Sequence, residues 1–272
     1  MTWFEAMILG IAQGLTEFLP ISSTAHLRII PAFAGWDDPG ALFTAVVQLG
    51  TMVAVVIYFW RDLLQIARTW ILSLRRPELR GELDARMGWY LIIATIPIGV
   101  FGLAFRSQIE EGARNLYLIG VVLIVLGLIL AVADRIGRRG REGDQVGRRD
   151  AIWMGLAQAL ALVRGTSRSG APIPAGLFLG LTRTAAARFS FLLSIPAVVL
   201  SGLFGLTELL RGEEDVSIGA LAVATLFAFI FGYASIAFLL RWLGNHSMMI
   251  FVVYRIVLGA VVIGLAASGV IS

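Results

Sequence analysis

Gln13-Gly-Leu-Thr-Glu17-Phe-Leu-Pro20-Ile-Ser22-Ser23-Thr24-Ala-His26 places a carboxylate, an imidazole, an amide and four hydroxyls within fourteen residues of an otherwise oily chain. An ionisable side chain held in hydrocarbon costs roughly 2.5 to 3.5 kcal/mol on insertion scales, so Glu17 needs partners, water or a ligand to sit there. The apolar stretch before it is interrupted by Glu5, Gln13 and Glu17, and the one after it, residues 27–34, is short. A bilayer crossing takes about 20 mostly apolar residues, and neither stretch qualifies alone. The expectation is two half-length helices broken at Pro20-Ile21-Ser22, a re-entrant hairpin over residues 1–35 whose tip is walled by protein or water.

The remainder of the 272 residues fits that setting. Hydrophobic residues make up 58% and charged ones only 15%, where soluble domains carry about a quarter charged, and the mean hydropathy is +0.85. The fold class expected is an all-α polytopic membrane protein forming a single membrane domain. Cysteine is absent, which excludes disulfides, thiol nucleophiles and cysteine-ligated metals. Every basic residue is arginine and the first is Arg28, so residues 1–9 lack the charged start of a cleavable signal and the chain is expected to insert through its own segments. The arginines cluster between apolar runs without interleaved exposed aromatics, so nucleic acid is not an expected partner. Trp60, Trp89 and Trp242 stand at the ends of apolar runs, as in an interfacial belt.

Six full crossings are expected, at residues 41–60, 89–105, 116–133, 186–206, 218–240 and 248–267. Arginine-rich loops at 61–88 and 135–149 belong on the cytoplasmic side by their charge. Glu110 and Glu111, and Glu213, Glu214 and Asp215, then fall outside, together with both termini. Residues 150–183 are again too broken for a simple crossing and form a second re-entrant hairpin, entering from the cytoplasm. A shift of 145 positions pairs Ala6 with Ala151, Gly10 with Gly155, Ala12 with Ala157, Gln13 with Gln158, Leu15 with Leu160 and Ser22 with Ser167. A shift of 146 pairs Phe43-Thr44 with Phe189-Ser190. Residues 1–136 and 150–272 thus read as one repeat, a hairpin plus three crossings, and an odd number of crossings inverts the second copy. Inverted repeats bring broken helices together near the midplane, so the two bends are expected to meet.

The bends carry complementary chemistry. Gln13 and Glu17 share a helix face, as do Ser23 and His26. Ser22, Ser23 and Thr24 can cap a restarting helix and offer N–H and O–H donors to an anion, as can Gly165, Thr166, Ser167 and Ser169, with Pro172 in a first turn. Arg168 adds a planar cation that forks onto phosphate oxygens, and Arg164 lies beside it. These are the parts of phosphoryl transfer: Ser23 or His26 as nucleophile, Glu17 orienting or deprotonating the histidine or holding a divalent cation, and Arg168 with its neighbours stabilising developing charge. A site at membrane depth implies that the other end of the substrate is a lipid. The alternative is a lipid-phosphate or anion transporter, which needs Arg168 and the helix N-termini but has no use for Ser23, His26 and Glu17 together. Tyr254-Arg255, in the last crossing, reads as structural, the arginine reaching an interface or a buried carboxylate, and His246 reads as loop.

Across nearly its whole length the sequence resembles the bacterial undecaprenyl-diphosphate phosphatase family, also called the bacitracin-resistance protein family. Its first motif, Glu or Gln one turn ahead of a second Glu, then Phe-Leu-Pro-hydrophobic-Ser-Ser and a histidine, stands here as Gln13, Glu17 and Phe18 to His26. Its Pro-Gly-x-Ser-Arg-Ser motif stands as Arg164-Gly165-Thr166-Ser167-Arg168-Ser169. The resemblance implies hydrolysis of the isoprenoid diphosphate to its monophosphate and inorganic phosphate, recycling the carrier lipid for the cell wall at the bacterial cytoplasmic membrane. It implies roles for Gln13, Glu17, Ser23, His26 and Arg168, magnesium or calcium as activator with Glu17 as a candidate ligand, and a site open to the outer face. Oligomeric state stays open, a homodimer being one form. Arg164 replaces the family's proline, Pro172 its threonine and Ala25 its glycine. The lysine that begins the signature of acid-phosphatase-like lipid enzymes has no counterpart in this chain.

Overall fold

The computed structural model describes residues 1–105, 115–163, 165–211 and 217–271, at 41 and 200–211 by backbone alone. Arg164, Glu110, Glu111, Glu213, Glu214 and Asp215 lie outside the described residues. The described chain is helical: α1 (Trp3–Phe18), α2 (Ser23–Ala34), α3 (Gly40–Tyr58), α4 (Trp60–Arg75), α5 (Leu83–Ala104), α6 (Leu116–Ile136), α7 (Arg148–Ala159), α8 (Pro172–Phe178), α9 (Arg183–Arg211), α10 (Ile218–Asn245) and α11 (Met249–Ala267).

Four of these, α5, α6, α10 and α11, are long and apolar enough to cross a bilayer, and they contain the crossings expected at 89–105, 116–133, 218–240 and 248–267, apart from one residue at each of two ends. The crossing expected at 186–206 lies within α9. The one expected at 41–60 is α3, but the chain does not then enter a loop. It bends by 73° into α4, and the two together make at most a fifth crossing. The arginine-rich loop expected from residue 61 is therefore helical as far as Arg75. Arg61, Arg68 and Arg75 are seven apart and share an exposed face, while Ile66 and Ser73 are buried on the other. Charge count alone reads this stretch as a loop; its period reads as an amphipathic helix. Trp70, half-buried, meets Trp89 edge to face at 5.5 Å and lays α4 along α5.

Both broken segments close on themselves. α1 and α2 meet at their outer ends, where Phe4 and Trp36 contact edge to face at 6.5 Å. The second segment is clasped by Arg141, whose Nη1 and Nη2 donate to Asp150 at 2.9 and 2.7 Å and whose Nη1 also donates to the Leu179 carbonyl at 2.9 Å. That carboxylate raises the basicity of the Arg141 guanidinium further above its ordinary value. The two segments enter from opposite ends of α6. Leu116 and Ile119, near its start, pack with Ile29 of α2 and with Ile271. Near its end, Asp134 accepts from Arg183 Nε at 2.5 Å. Arg188 of α9 donates to Asp62 of α4 at 3.0 Å, so the stretch from 61 and the second segment's base lie at one end of the molecule.

Close backbone approach fixes the walls of both segments. A Cβ on Gly10 of α1 would stand 2.3 Å from the Ala224 carbonyl oxygen of α10, and one on Gly155 of α7 would stand 2.4 Å from that of Ala94 of α5. Only glycine permits these seams. Gly10→Val is expected to destabilise the fold by about 1–3 kcal/mol or more, whereas Gly99→Ala, with nothing within 4 Å of the added carbon, should leave thermal melting in detergent nearly unchanged.

Candidate active site

The two bends share one local geometry. Ser22 and Ser167 each have φ of 74°, in the left-handed region that costs an L-residue energy. Both use the conformation to cap the turn that follows: Ser22 Oγ accepts from the Ala25 N–H at 3.4 Å and Ser167 Oγ from the Gly170 N–H at 3.0 Å. Their carbonyls accept from the N–H of His26 at 3.3 Å and of Ala171 at 3.0 Å. Even the neighbouring hydroxyl pairs agree, Ser22 with Thr24 at 3.3 Å and Ser167 with Ser169 at 3.2 Å. Ser22, fully buried, is thus engaged as a cap.

Glu17 is the hub where the bends meet. It is only 6% exposed, and its desolvation is offset by four partners. Gln13 Nε2 donates to Oε2 at 2.9 Å and Ser23 Oγ to the same oxygen at 2.5 Å. Gln48 Nε2 donates to Oε1 at 3.1 Å, and Arg168 Nη2 stands 3.4 Å from Oε1. From the second bend, Ser169 Oγ donates to the Glu17 carbonyl at 2.8 Å and the Gly165 N–H reaches Thr24 Oγ1 at 3.5 Å. Gln13, Glu17, Ser23, Thr24, Gly165, Arg168 and Ser169 are therefore brought together, with Thr166 and Ser167 buried behind them.

His26 takes a different course from the one expected. It begins the next turn of α2 beyond Ser23 and makes no hydrogen bond to Glu17 among the described residues; its Nδ1–H donates to the Ser22 carbonyl at 2.7 Å. That bond leaves Nε2 as an acceptor for the Tyr254 hydroxyl, also at 2.7 Å. Among the described residues its neighbour Arg255, 1% exposed, reaches neither an interface nor a carboxylate. Its Nη1 donates to the Pro20 carbonyl of the first bend at 3.1 Å, Nη2 to Gly165 of the second at 3.1 Å, and Nε to Leu123 of α6 at 3.2 Å. Arg255 ties the bends together through their backbones. Gln48, Tyr254 and Arg255 were thus missed as site residues, although a lone amide and an arginine inside apolar crossings are the available signal.

The arrangement can deprotonate a hydroxyl against a carboxylate and receive an anion between Arg168 and the capped turns. Among the described residues no three His, Cys, Asp or Glu side chains cluster to hold a metal ion. Gln13 Oε1, however, is buried with no hydrogen-bond partner beside Glu17. Two oxygen donors of this kind suit a hard divalent cation that takes its remaining ligands from substrate phosphate and water.

Residues 6–261 match the family model for bacitracin resistance protein BacA. A protein of a Nocardioides species, named undecaprenyl-diphosphatase, is 53% identical over 270 residues, 99% of this chain and 98% of its own. Proteins of the same name from Mycolicibacterium smegmatis and Chlorobium phaeobacteroides are 52% and 51% identical, covering 100% and 99% of this chain and 99% of each relative.

Because Arg255 satisfies carbonyls from three segments, Arg255→Met is expected to lower stability by about 3–5 kcal/mol, an uncompensated set of buried polar groups being left behind. Tyr254→Phe removes one hydroxyl at a partly exposed position and should shift the melting temperature of the purified protein by no more than a few degrees.

Proposed function

The chain belongs to the bacitracin resistance protein BacA family, and from that premise we propose that it is an integral-membrane phosphatase hydrolysing undecaprenyl diphosphate to undecaprenyl phosphate and inorganic phosphate. The observation that carries the mechanism is the 2.5 Å bond from Ser23 Oγ to Glu17 Oε2, with Arg168 3.4 Å from the other carboxylate oxygen. Ser23 Oγ attacks the terminal phosphorus as its proton passes to Glu17, and the bond from that phosphorus to the bridging oxygen breaks. Undecaprenyl phosphate leaves. Water then attacks the phosphoserine and loses a proton to His26 Nε2, displacing the Tyr254 hydroxyl from that nitrogen, while Ser23 departs as a hydroxyl by recovering its proton from Glu17 and His26 releases the water's proton to solvent with the phosphate. Arg168 and the N–H groups after Ser167 answer the charge on the equatorial oxygens. A transporter would gain nothing from a carboxylate poised on a serine hydroxyl.

Gln13 Oε1 and Glu17 would hold the magnesium or calcium ion, which when bound neutralises diphosphate charge. Glu17, Arg168 and Arg255 leave the site one positive charge in excess before substrate arrives, which favours an anionic headgroup.

The architecture in this reading is an inverted repeat, supported by the matched bends at Ser22 and Ser167 and the matched seams at Gly10 and Gly155. The two broken segments are re-entrant hairpins from opposite faces. Arginine-rich segments gather at the end holding the second hairpin's base, which supports a cytoplasmic position for that end in this reading. Trp3 packs beside Gly219 and Ile271 beside Leu116, which supports a reading in which both termini lie at the other end, the outer face, with the site open to it.

Ser23→Ala and Glu17→Gln are each expected to slow phosphate release from farnesyl diphosphate by roughly 10²–10⁴-fold with folding retained. Rapid quenching with terminally labelled substrate should trap phosphate on Ser23; label appearing on His26 instead, or unchanged release in both variants, would reject the assignment. Chelation with EDTA is expected to lower release and magnesium to restore it, with a weaker response in Gln13→Leu.

A further inference from the structure

At the cytoplasm-assigned end, away from the catalytic bends, a second feature has no place in the hydrolysis. A cavity of about 320 Å³ opens where α6 ends and α8 hands over to the following turn, lined by Ile136, Arg138, Arg141, Arg149, Phe178 and Leu179 among others. Three arginines face one volume. Only Arg141 is neutralised, by its paired bonds to Asp150. Arg138 and Arg149 make no hydrogen bond or ion pair among the described residues, so the cavity mouth carries two unanswered positive charges.

The walls say what kind of ligand suits those charges. Ile136 is 66% and Phe178 49% exposed, so the basic mouth is continuous with apolar side chains that face outward. α6 is a membrane-length helix, so its C-terminal residue stands at the bilayer boundary. A basic recess at that depth with an apolar lip fits a headgroup phosphate whose acyl chains run down the lip. The recess is also held open: Arg141 donates to the Leu179 and Gln145 carbonyls and pairs with Leu181 in a parallel bridge, so its floor does not depend on a ligand.

We propose that this recess binds a phosphate group, supplied by an anionic phospholipid of the surrounding membrane or by free inorganic phosphate. Because Arg141 and Leu179 clasp the second hairpin, occupancy braces the element that carries Arg168. The inference stands independently of the Ser23 chemistry.

The test is native mass spectrometry of the delipidated full chain in neutral detergent, titrated with phosphatidylglycerol or phosphatidylcholine. One phosphatidylglycerol should remain bound at activation energies that strip phosphatidylcholine. Arg138→Gln with Arg149→Gln should weaken its retention roughly tenfold to thirtyfold, the combined effect of two interfacial arginines, whereas Arg61→Gln with Arg68→Gln should not. Displacement by millimolar inorganic phosphate would identify a soluble source for the anion, and persistence against it a membrane source; either supports the site. Equal retention of both lipids by the parent chain with no binding of inorganic phosphate, or undiminished phosphatidylglycerol retention in the Arg138 and Arg149 double variant, overturns it. Among the described residues neither arginine has a protein partner to lose, and a parent-like melting temperature of the delipidated double variant will confirm an intact fold.

Discussion

A cation without an anion organises this protein. Arg255 is buried, and among the described residues its charge is answered by carbonyl oxygens alone, drawn from the first bend, the second bend and α6. Isolated charge in a low-dielectric interior is costly, and the cost is met when several oriented dipoles converge on it. The dipoles of the two bends exist because neither bend is a regular helix, so carbonyls there lack the intrahelical partners they would otherwise have. The irregular backbone and the buried guanidinium therefore require each other. Between them they hold Glu17 beside Ser23 and Arg168, where a carboxylate, a hydroxyl and a second guanidinium can share one small polar volume.

The same economy appears in the serines that open the two turns. Ser22 and Ser167 sit where glycine would be at ease, yet in both places the hydroxyl is needed as a cap. The strain of the backbone and the hydrogen bonds of the side chain are local to each turn, so the two bends reach one geometry from similar short sequences. What differs is what each turn presents: Ser23 and His26 from one, Arg168 and Ser169 from the other.

Much of this was legible before any coordinates. The polar cluster from Gln13 to His26 in an oily chain located the first bend, and the glycine, hydroxyl and arginine cluster from Gly165 to Ser169 located the second, because polar groups at membrane depth demand compensation. The meeting of Glu17 with Arg168 followed from the shift of 145 positions. The partner of His26 did not. Spacing along α2 says which residues share a face but not which neighbour that face meets, and Tyr254 lies 228 positions away. Gln48 was hidden for the same reason, and Arg255 was expected to find a carboxylate because backbone carbonyls are invisible in a sequence. The segment after Trp60 misled in another way: its arginines drew attention from the seven-residue spacing that makes α4 a helix.

The seam between Gly10 and Ala224 has a consequence for biogenesis. α1 leaves the ribosome before α10, for the wall against which it fits is made about two hundred residues later, and the guanidinium that fastens its bend later still. Until then the nascent hairpin carries the Glu17 carboxyl with only part of its shelter, Gln13 and Ser23 being the partners already made. Assembly of this membrane domain is consequently a closing event rather than a sequential one, completed when the last two crossings slide into place. Chains that terminate before α11 are the ones that cellular quality control should recognise by this exposed amino-terminal segment.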